Sequence, residues 1–293
     1  MASNASSPSA LRILIINPNT STSMTEALVP LLDSLAYPPG FVKYTFFTSP
    51  ATPAEGINVA KGEPEPRAIP SINSHEDADE SAKFCLPYLQ PLLADHDAFL
   101  VACYSQHPLV FQLKTLCAAL DGPKKYVTGI FEASVLASLA LTTHEPEPLV
   151  PEKDRSRSYQ NETFGIVSTG KIWEEILGHA VDKFLSLGEQ RVGAERHSRF
   201  AGVETTGLNA TDLHDLPADQ VRVKMIEATK QLLRKSSSVG AICLGCAGMA
   251  GLDDAVRQAC VEELGESLGG RVRIVDGVKA GVSMLVGLAM AGF

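Results

Sequence analysis

The sequence predicts an α/β protein made of two pseudo-symmetric parallel-sheet α/β domains, with a site in the cleft between them. Three observations predict this. Apolar runs of strand length alternate with longer segments of helical character along the chain. The order then repeats: an apolar strand meets a small polar turn, and later an apolar strand meets a cysteine turn. Asn17 to Cys103 is 86 positions and Ser168 to Cys246 is 78. Finally, all four polar turns follow the carboxyl ends of strands, where open parallel sheets bind ligands. Two halves facing each other would converge those turns on one cleft, with one cysteine from each side.

The elements follow in order. Residues 1–10, Met1-Ala-Ser-Asn-Ala-Ser-Ser-Pro-Ser-Ala10, read as a disordered tail. Arg12-Ile-Leu-Ile-Ile16 is a continuous apolar run suited to a strand buried on both faces. Asn17-Pro-Asn-Thr-Ser21 is a turn, and residues 22–35 read as a helix with Ser or Thr available to cap it. A second strand covers 42–48. The loop 49–70 is rich in Pro, Glu and Gly. A helix over 74–93, a strand over 99–102, a helix over 108–120, a strand over 126–130 and a helix over 132–141 follow. Residues 144–162 break the alternation with proline and charge and read as a surface insertion. The second half gives a strand at 164–167, the turn Ser168-Thr-Gly170 and a helix over 172–185. A strand near 199–203, a helix over 217–235 and a strand over 239–244 come next. A helix over 252–265, a strand over 272–275 and a last helix over 277–290 complete it. The first domain is expected to span 11–130, with residues 277–293 returning to it, and the second 131–276.

Composition narrows the function. The chain has 293 residues, enough for two ordinary domains with real cores, and is 45% hydrophobic and 20% charged. A formal net charge of −9 argues against a nucleic-acid partner. No apolar run reaches the roughly 20 residues that span a bilayer, so no membrane partner is expected. The N-terminal residues lack the basic start and apolar stretch of a signal peptide. Six cysteines in such a chain suggest a reducing compartment and a cytoplasmic location.

Cysteine position carries the chemistry. Asp97-Ala-Phe-Leu-Val-Ala-Cys103-Tyr-Ser105 and Val239-Gly-Ala-Ile-Cys-Leu-Gly-Cys246-Ala-Gly248 each close an apolar strand and open into a helix-like segment. A thiol near a helix N-terminus is expected to favour its thiolate. Two facing thiols, one charged and one neutral, can take a proton from one side of a carbon and return it on the other. Cys85, Cys117 and Cys260 fall on helical segments and read as core. Cys243 and Cys246 form a C-x-x-C, but Cys243 lies inside a strand. Three strand residues span roughly 10 Å, whereas a disulfide needs Cα atoms within about 7 Å. No second C-x-x-C or His pair completes a zinc set, so no metal is expected.

Four segments together identify a family. Ile16-Asn-Pro-Asn-Thr-Ser21, Ala102-Cys-Tyr-Ser105, Leu244-Gly-Cys-Ala-Gly-Met-Ala-Gly-Leu252 and Asp276-Gly-Val278 span nearly the whole chain. In sequence and order they resemble the aspartate/glutamate/hydantoin racemase superfamily, and most of all its hydantoin and allantoin racemase branch, fungal members included. The resemblance implies a two-domain fold with a small-molecule substrate between the domains, a homo-oligomer, and catalysis without any cofactor. It makes Cys103 and Cys246 the catalytic pair. Asn17, Tyr104, Ser105, Ser168, Thr169, Ala247 and Gly248 become candidate substrate contacts. Asn17 and Thr169 would hold ring amide edges, and backbone N–H groups of the two cysteine turns would stabilise an enolate. Many bacterial hydantoin racemases place an acidic residue and a glycine soon after the first cysteine, where this chain has Ser105-Gln-His107-Pro-Leu109. That departure alters the wall near Cys103, and His107 itself reads as a solvent-facing first-turn residue or a substrate contact.

The expected activity is racemisation of a 5-substituted hydantoin, allantoin foremost. Racemisation of Asp or Glu is the alternative. It would need a cationic clamp for two carboxylates, and no Arg or Lys stands in the four turns; Lys171 lies just beyond one. A decarboxylase or isomerase of the same fold needs only one of the cysteines. A non-catalytic binding protein is disfavoured because neither thiol is lost.

Overall fold

The computed structural model describes residues 10–52, 66–143, 161–185 and 199–293. The first sheet is built from β1 (Leu11–Asn17), β2 (Val42–Thr48), β3 (Ala98–Val101) and β4 (Tyr126–Gly129). The second contains β5 (Thr163–Ser168), β6 (Phe200–Thr205), β7 (Val239–Leu244) and β8 (Arg273–Asp276). Their orders are β2-β1-β3-β4 and β6-β5-β7-β8, and every pairing is parallel. Each half therefore places its first strand second and its cysteine strand third, so both cysteine turns leave the middle of a sheet.

The strands read as unbroken apolar runs because both faces are covered. Successive side chains point to opposite faces. Ile13, Ile15, Ala98 and Leu100 enter one apolar cluster, while Leu14, Ile16, Phe99 and Val101 enter another. In the second sheet Ala241 and Cys243 face one way, and Ile242 and Leu244 the other. The outer clusters lie beneath α2 (His75–Leu89) and α3 (Pro108–Ala118) in the first half, and beneath α7 (Ala218–Lys235) and α8 (Asp253–Gly269) in the second. Cys85, Cys117 and Cys260 are buried there and all six cysteines are free, in keeping with core packing.

The inner cluster belongs to both sheets. It runs from β1 and β3 through Phe131, Val135, Val282 and Leu285 to Phe164, Ile166 and Ala241. Its middle is made by α4 (Ile130–Leu141) and α9 (Gly277–Ala291), flanked by α1 (Thr22–Asp33) and α5 (Trp173–Leu185). Helix α4 leaves the first sheet and packs on β7 and β8. Helix α9 leaves the second and packs on β3 and β4, and the two helices pack on each other. Residues 144–160 of the expected insertion lie outside the described residues, as do 1–9 of the N-terminal tail.

The Asp276-Gly-Val278 segment is explained by this crossing. Asp276 caps α9, its Oδ1 accepting from the N–H groups of Val278 at 2.8 Å and Lys279 at 2.9 Å. A Cβ on Gly277 would stand 2.7 Å from the Ile130 carbonyl oxygen and 3.0 Å from Ile130 Cβ. Only glycine lets the starts of α9 and α4 approach this closely. Gly277→Ala is expected to lower stability by about 2 kcal/mol, as overpacking against backbone does. Urea unfolding should show a lower midpoint at an unchanged slope; an unmoved midpoint would show that the crossing tolerates a methyl group.

Candidate active site

The turn after β1 is knitted by its own asparagines. Asn17 donates through Nδ2 to the Ser21 carbonyl at 2.9 Å and to Thr25 Oγ1 at 3.0 Å, while its Oδ1 accepts from the Asn19 N–H at 3.2 Å. Its side chain is thus committed to fastening the turn onto α1. Asn19 is held differently. Its Oδ1 accepts from Ser21 N–H at 2.9 Å, and among the described residues its Nδ2 meets only Met24 Sδ, a weak acceptor, at 3.4 Å.

The turn after β3 carries Cys103. The Ser105 N–H bends back to the Cys103 carbonyl at 3.0 Å, and Ser105 Oγ lies 3.6 Å from Cys103 Sγ. Tyr104 sets its ring edge-on to Phe131, centroids 5.7 Å apart, and its hydroxyl meets Ser134 Oγ at 2.8 Å. His107 is buried and caps α3, its Nδ1 accepting from Leu109 N–H at 3.3 Å. Burial pushes its pKa down to about 3, so the ring is neutral. It neither faces solvent nor lines the cavity described below.

In the second half Ser168 donates to the Gly245 carbonyl at 2.8 Å, and Gly245 N–H donates to the Val167 carbonyl at 2.7 Å. A Cβ on Gly245 would stand 2.8 Å from both Ser168 Cβ and the Val167 oxygen. Glycine is therefore required for the strand ends to close around Cys246. A single 3-10 turn, Ala247–Met249, follows Cys246. Gly248 turns its α-carbon toward His214 and Leu213 of the short helix α6 (Asp212–Asp215).

These turns enclose one cavity of about 370 Å³, counting its open mouth. Its walls are Asn19, Met24, Ile72, Ala102, Cys103, Tyr104, Thr169, Trp173, Ala210, Gly245, Cys246 and Ala247. Both cysteines reach it, one from each half. Of the other candidates Tyr104, Thr169 and Ala247 line it, and Ser105 stands behind Cys103 against the thiol. Asn17, Ser168 and Gly248 do not line it. The first two spend their side chains inside the turns, and Gly248 abuts α6. Asn19 takes the place expected of Asn17. Trp173 is buried, as packing requires, but also forms wall. Ala210 comes from a loop whose sequence carries no signal.

The thiols differ from the sequence expectation. Helix α3 begins only at Pro108, and the helix after Cys246 is a single turn, so neither sulfur has a long helix behind it. Burial dominates instead. It pushes Cys103 up to about 12, against the bond from Ser105, and the negative forms of Cys246 and Glu132 raise it further. Cys246 is pushed up to about 11 by burial, partly offset by the Gly248 N–H. Among the described residues no group of three His, Cys, Asp or Glu could hold a metal ion, and no helix is long and apolar enough to cross a membrane.

Two parallel sheets of identical order, with a cysteine turn from each meeting in one cavity, make this a two-sheet α/β protein with a single site between its halves among the described residues. Residues 13–285 match the family described as Asp/Glu/hydantoin racemase, and the protein belongs to that family of racemases and isomerases. It is 31% identical to uncharacterised protein C1F7.10 of Schizosaccharomyces pombe, over 95% of this chain and 92% of that one. It is 25% identical to a hydantoin racemase of Rhizobium meliloti, over 97% of this chain and 90% of the other. In fold it matches an allantoin racemase from Pseudomonas fluorescens with a TM-score of 0.66, at 23% identity over 97% of this chain and 92% of that one.

Proposed function

We propose that the protein racemises a 5-substituted hydantoin, allantoin foremost, by a two-base mechanism in which Cys103 and Cys246 act on opposite faces of one carbon. The observation that carries this reading is that both thiols, one from each half, line the same cavity. A second observation favours a neutral ring: none of the described wall residues is charged, while Asn19 and Thr169 offer amide and hydroxyl groups. A free dicarboxylic amino acid would enter that cavity with no cation among the described wall residues to meet it, at a high desolvation cost.

The reacting carbon of a hydantoin lies between a carbonyl and a ring nitrogen. A thiolate on one face removes its proton, and the C–H electron pair moves into the adjacent carbonyl to give an enolate. The thiol on the other face then returns a proton to the carbon, the carbonyl re-forms, and the configuration is inverted. The negative charge has moved from one sulfur to the other, and proton exchange with solvent resets the pair. Asn19 Nδ2, weakly engaged with Met24, can turn to the developing oxyanion. The Ser105 N–H is committed to the Cys103 carbonyl and does not serve. The same reading, on family likeness, makes the protein a cytoplasmic homo-oligomer.

Chiral chromatography of enantiopure allantoin, simple 5-substituted hydantoins, Asp and Glu after incubation with purified protein tests the substrate. Ring substrates are expected to racemise and the amino acids to persist. Faster turnover of Asp or Glu than of every hydantoin would overturn the assignment.

A further inference from the structure

Four polar side chains, Tyr104, Ser134, Ser138 and Cys243, are buried together where the inner apolar cluster joins the two halves. Their bonds run in one direction. Ser134 Oγ donates to the Phe131 carbonyl at 2.9 Å, so it accepts from the Tyr104 hydroxyl at 2.8 Å. The Cys243 thiol donates to the Ser134 carbonyl at 3.8 Å, so its sulfur accepts from Ser138 Oγ at 3.1 Å. Tyr104 follows Cys103 in the first half, and Cys243 precedes Cys246 by one x-x spacing in the second. Ser134, on α4, takes a bond from each and is the joint between the two cysteine turns.

The pseudo-symmetry shows that packing does not require this joint. Matched from the helix starts Ile130 and Gly277, Ser134 corresponds to Gly281 and Ser138 to Leu285. Matched from the two cysteines, Tyr104 corresponds to Ala247 and Cys243 to Leu100. Every counterpart is apolar. A Cβ on Gly281 would collide with Leu100 Cδ1, so α9 meets β3 by direct packing, whereas α4 meets β7 through hydrogen bonds. Buried hydroxyls and thiols are costly unless bonded, so the four side chains hold one geometry: a shift of either cysteine turn leaves one of them unpaired.

We propose that Tyr104 is a positioning residue whose bond to Ser134 latches the Cys103 turn to β7 and fixes the gap between the two catalytic thiols. The inference rests on the two-thiol reading and deepens it by naming what sets their spacing. Both sulfurs must reach one carbon, and a displacement of about 1 Å can cost about 100-fold in rate. With the latch closed, an enolate formed at one wall takes its new proton from the other. With it open, the opposite thiol stands out of reach. The sulfur that took the proton then exchanges it with solvent and returns one to the same face, so the substrate exchanges its hydrogen without inverting.

Two variants break the same bond from its two ends. Tyr104→Phe keeps the ring against Phe131 and removes the donor; Ser134→Ala removes the acceptor and leaves Tyr104 in place. Enantiopure allantoin is incubated in deuterated water. Chiral separation and mass spectrometry then compare deuterium in the starting hand with deuterium in the inverted hand, each rate taken against Cys103→Ser/Cys246→Ser. In the native protein early label is expected in the inverted hand. In both variants inversion should fall about 10–100-fold, and the ratio of exchange to inversion should rise about tenfold or more. The double variant should match the singles, because each removes one shared interaction. A loss of folded protein lowers both rates together and leaves the ratio unmoved. A native ratio in both variants, or loss of exchange and inversion in equal measure, would overturn the proposal. A raised ratio in Tyr104→Phe alone would overturn it too, since the hydroxyl would then act on substrate and not on Ser134. Failure of the two-thiol reading shows elsewhere, as racemisation that survives a cysteine substitution, so the two failures are separable.

Discussion

Cys103→Ser and Cys246→Ser are each expected to lose racemisation by about 10²–10⁴-fold, the range that a positioned acid or base contributes. The reason is local. Each thiol occupies its own wall of the cavity, one from the turn after β3 and one from the turn after β7. Serine is too weak an acid to be ionised there or to protonate an enolate at a useful rate. Each single variant still keeps one thiol, which can remove a proton from the enantiomer that presents its hydrogen to that wall and return deuterium to the same face. In deuterated water each variant should thus label one enantiomer without inverting it, and the two variants should prefer opposite hands. Chiral separation followed by mass spectrometry measures both quantities. Near-native racemisation by either variant would remove that cysteine from the mechanism. Labelling of the same hand by both would mean that the sulfurs do not flank the carbon.

The fold was legible because its strands are covered on both faces. Ile13 to Ile16 and Ala241 to Leu244 alternate between inner and outer clusters, and both clusters are apolar and buried, so the sequence shows unbroken apolar runs. Helix α1 announced itself by the Ser and Thr before it, and Ser21 does cap it; the structure adds Ser74 before α2 and Asp276 before α9, each accepting from the helix start it precedes. The elements missed are short. α6 and the 3-10 turn at Ala247–Met249 are too brief to establish a period.

The cavity was legible at its cysteines and blurred at its polar walls. Asn17 and Asn19 stand in one turn, and each accepts from a backbone N–H two residues on, which both asparagines do equally well. Which Nδ2 remains for a ligand depends on Thr25, eight residues after Asn17, and residue spacing does not encode that contact. Ser168 is similar: its hydroxyl reaches Gly245, 77 positions later, a pairing that exists only once β5 and β7 lie side by side. The thiol environment was misread for a related reason. A cysteine at a strand end suggests a helix start behind it, but Tyr104 to His107 intervene before α3, and burial then decides the sign of the shift.

That sign fixes the dependence of rate on pH. A thiol with an ordinary pKa of about 8.5 would be mostly ionised by pH 9, and the rate would level off there. Here burial pushes Cys246 up to about 11 and Cys103 to about 12. The competent form carries one thiolate and one thiol, so it is reached by losing a single proton from the neutral pair. Well below pH 11 its population grows tenfold per pH unit. On this basis kcat/KM, which reports the free enzyme, should climb about 100-fold between pH 7 and pH 9 with unit slope. A descending limb should appear only above the loss of the second proton, near 12. Because hydroxide also racemises hydantoins, each rate is taken against the doubly substituted Cys103→Ser/Cys246→Ser protein at the same pH. A plateau below pH 9 would mean that the thiols ionise in a wetter site than this one, with the two walls farther apart in the working enzyme. A fall in kcat/KM between pH 7 and pH 9 would be worse for the mechanism, since no group whose protonated form is needed should be lost in that window while the thiols themselves remain protonated.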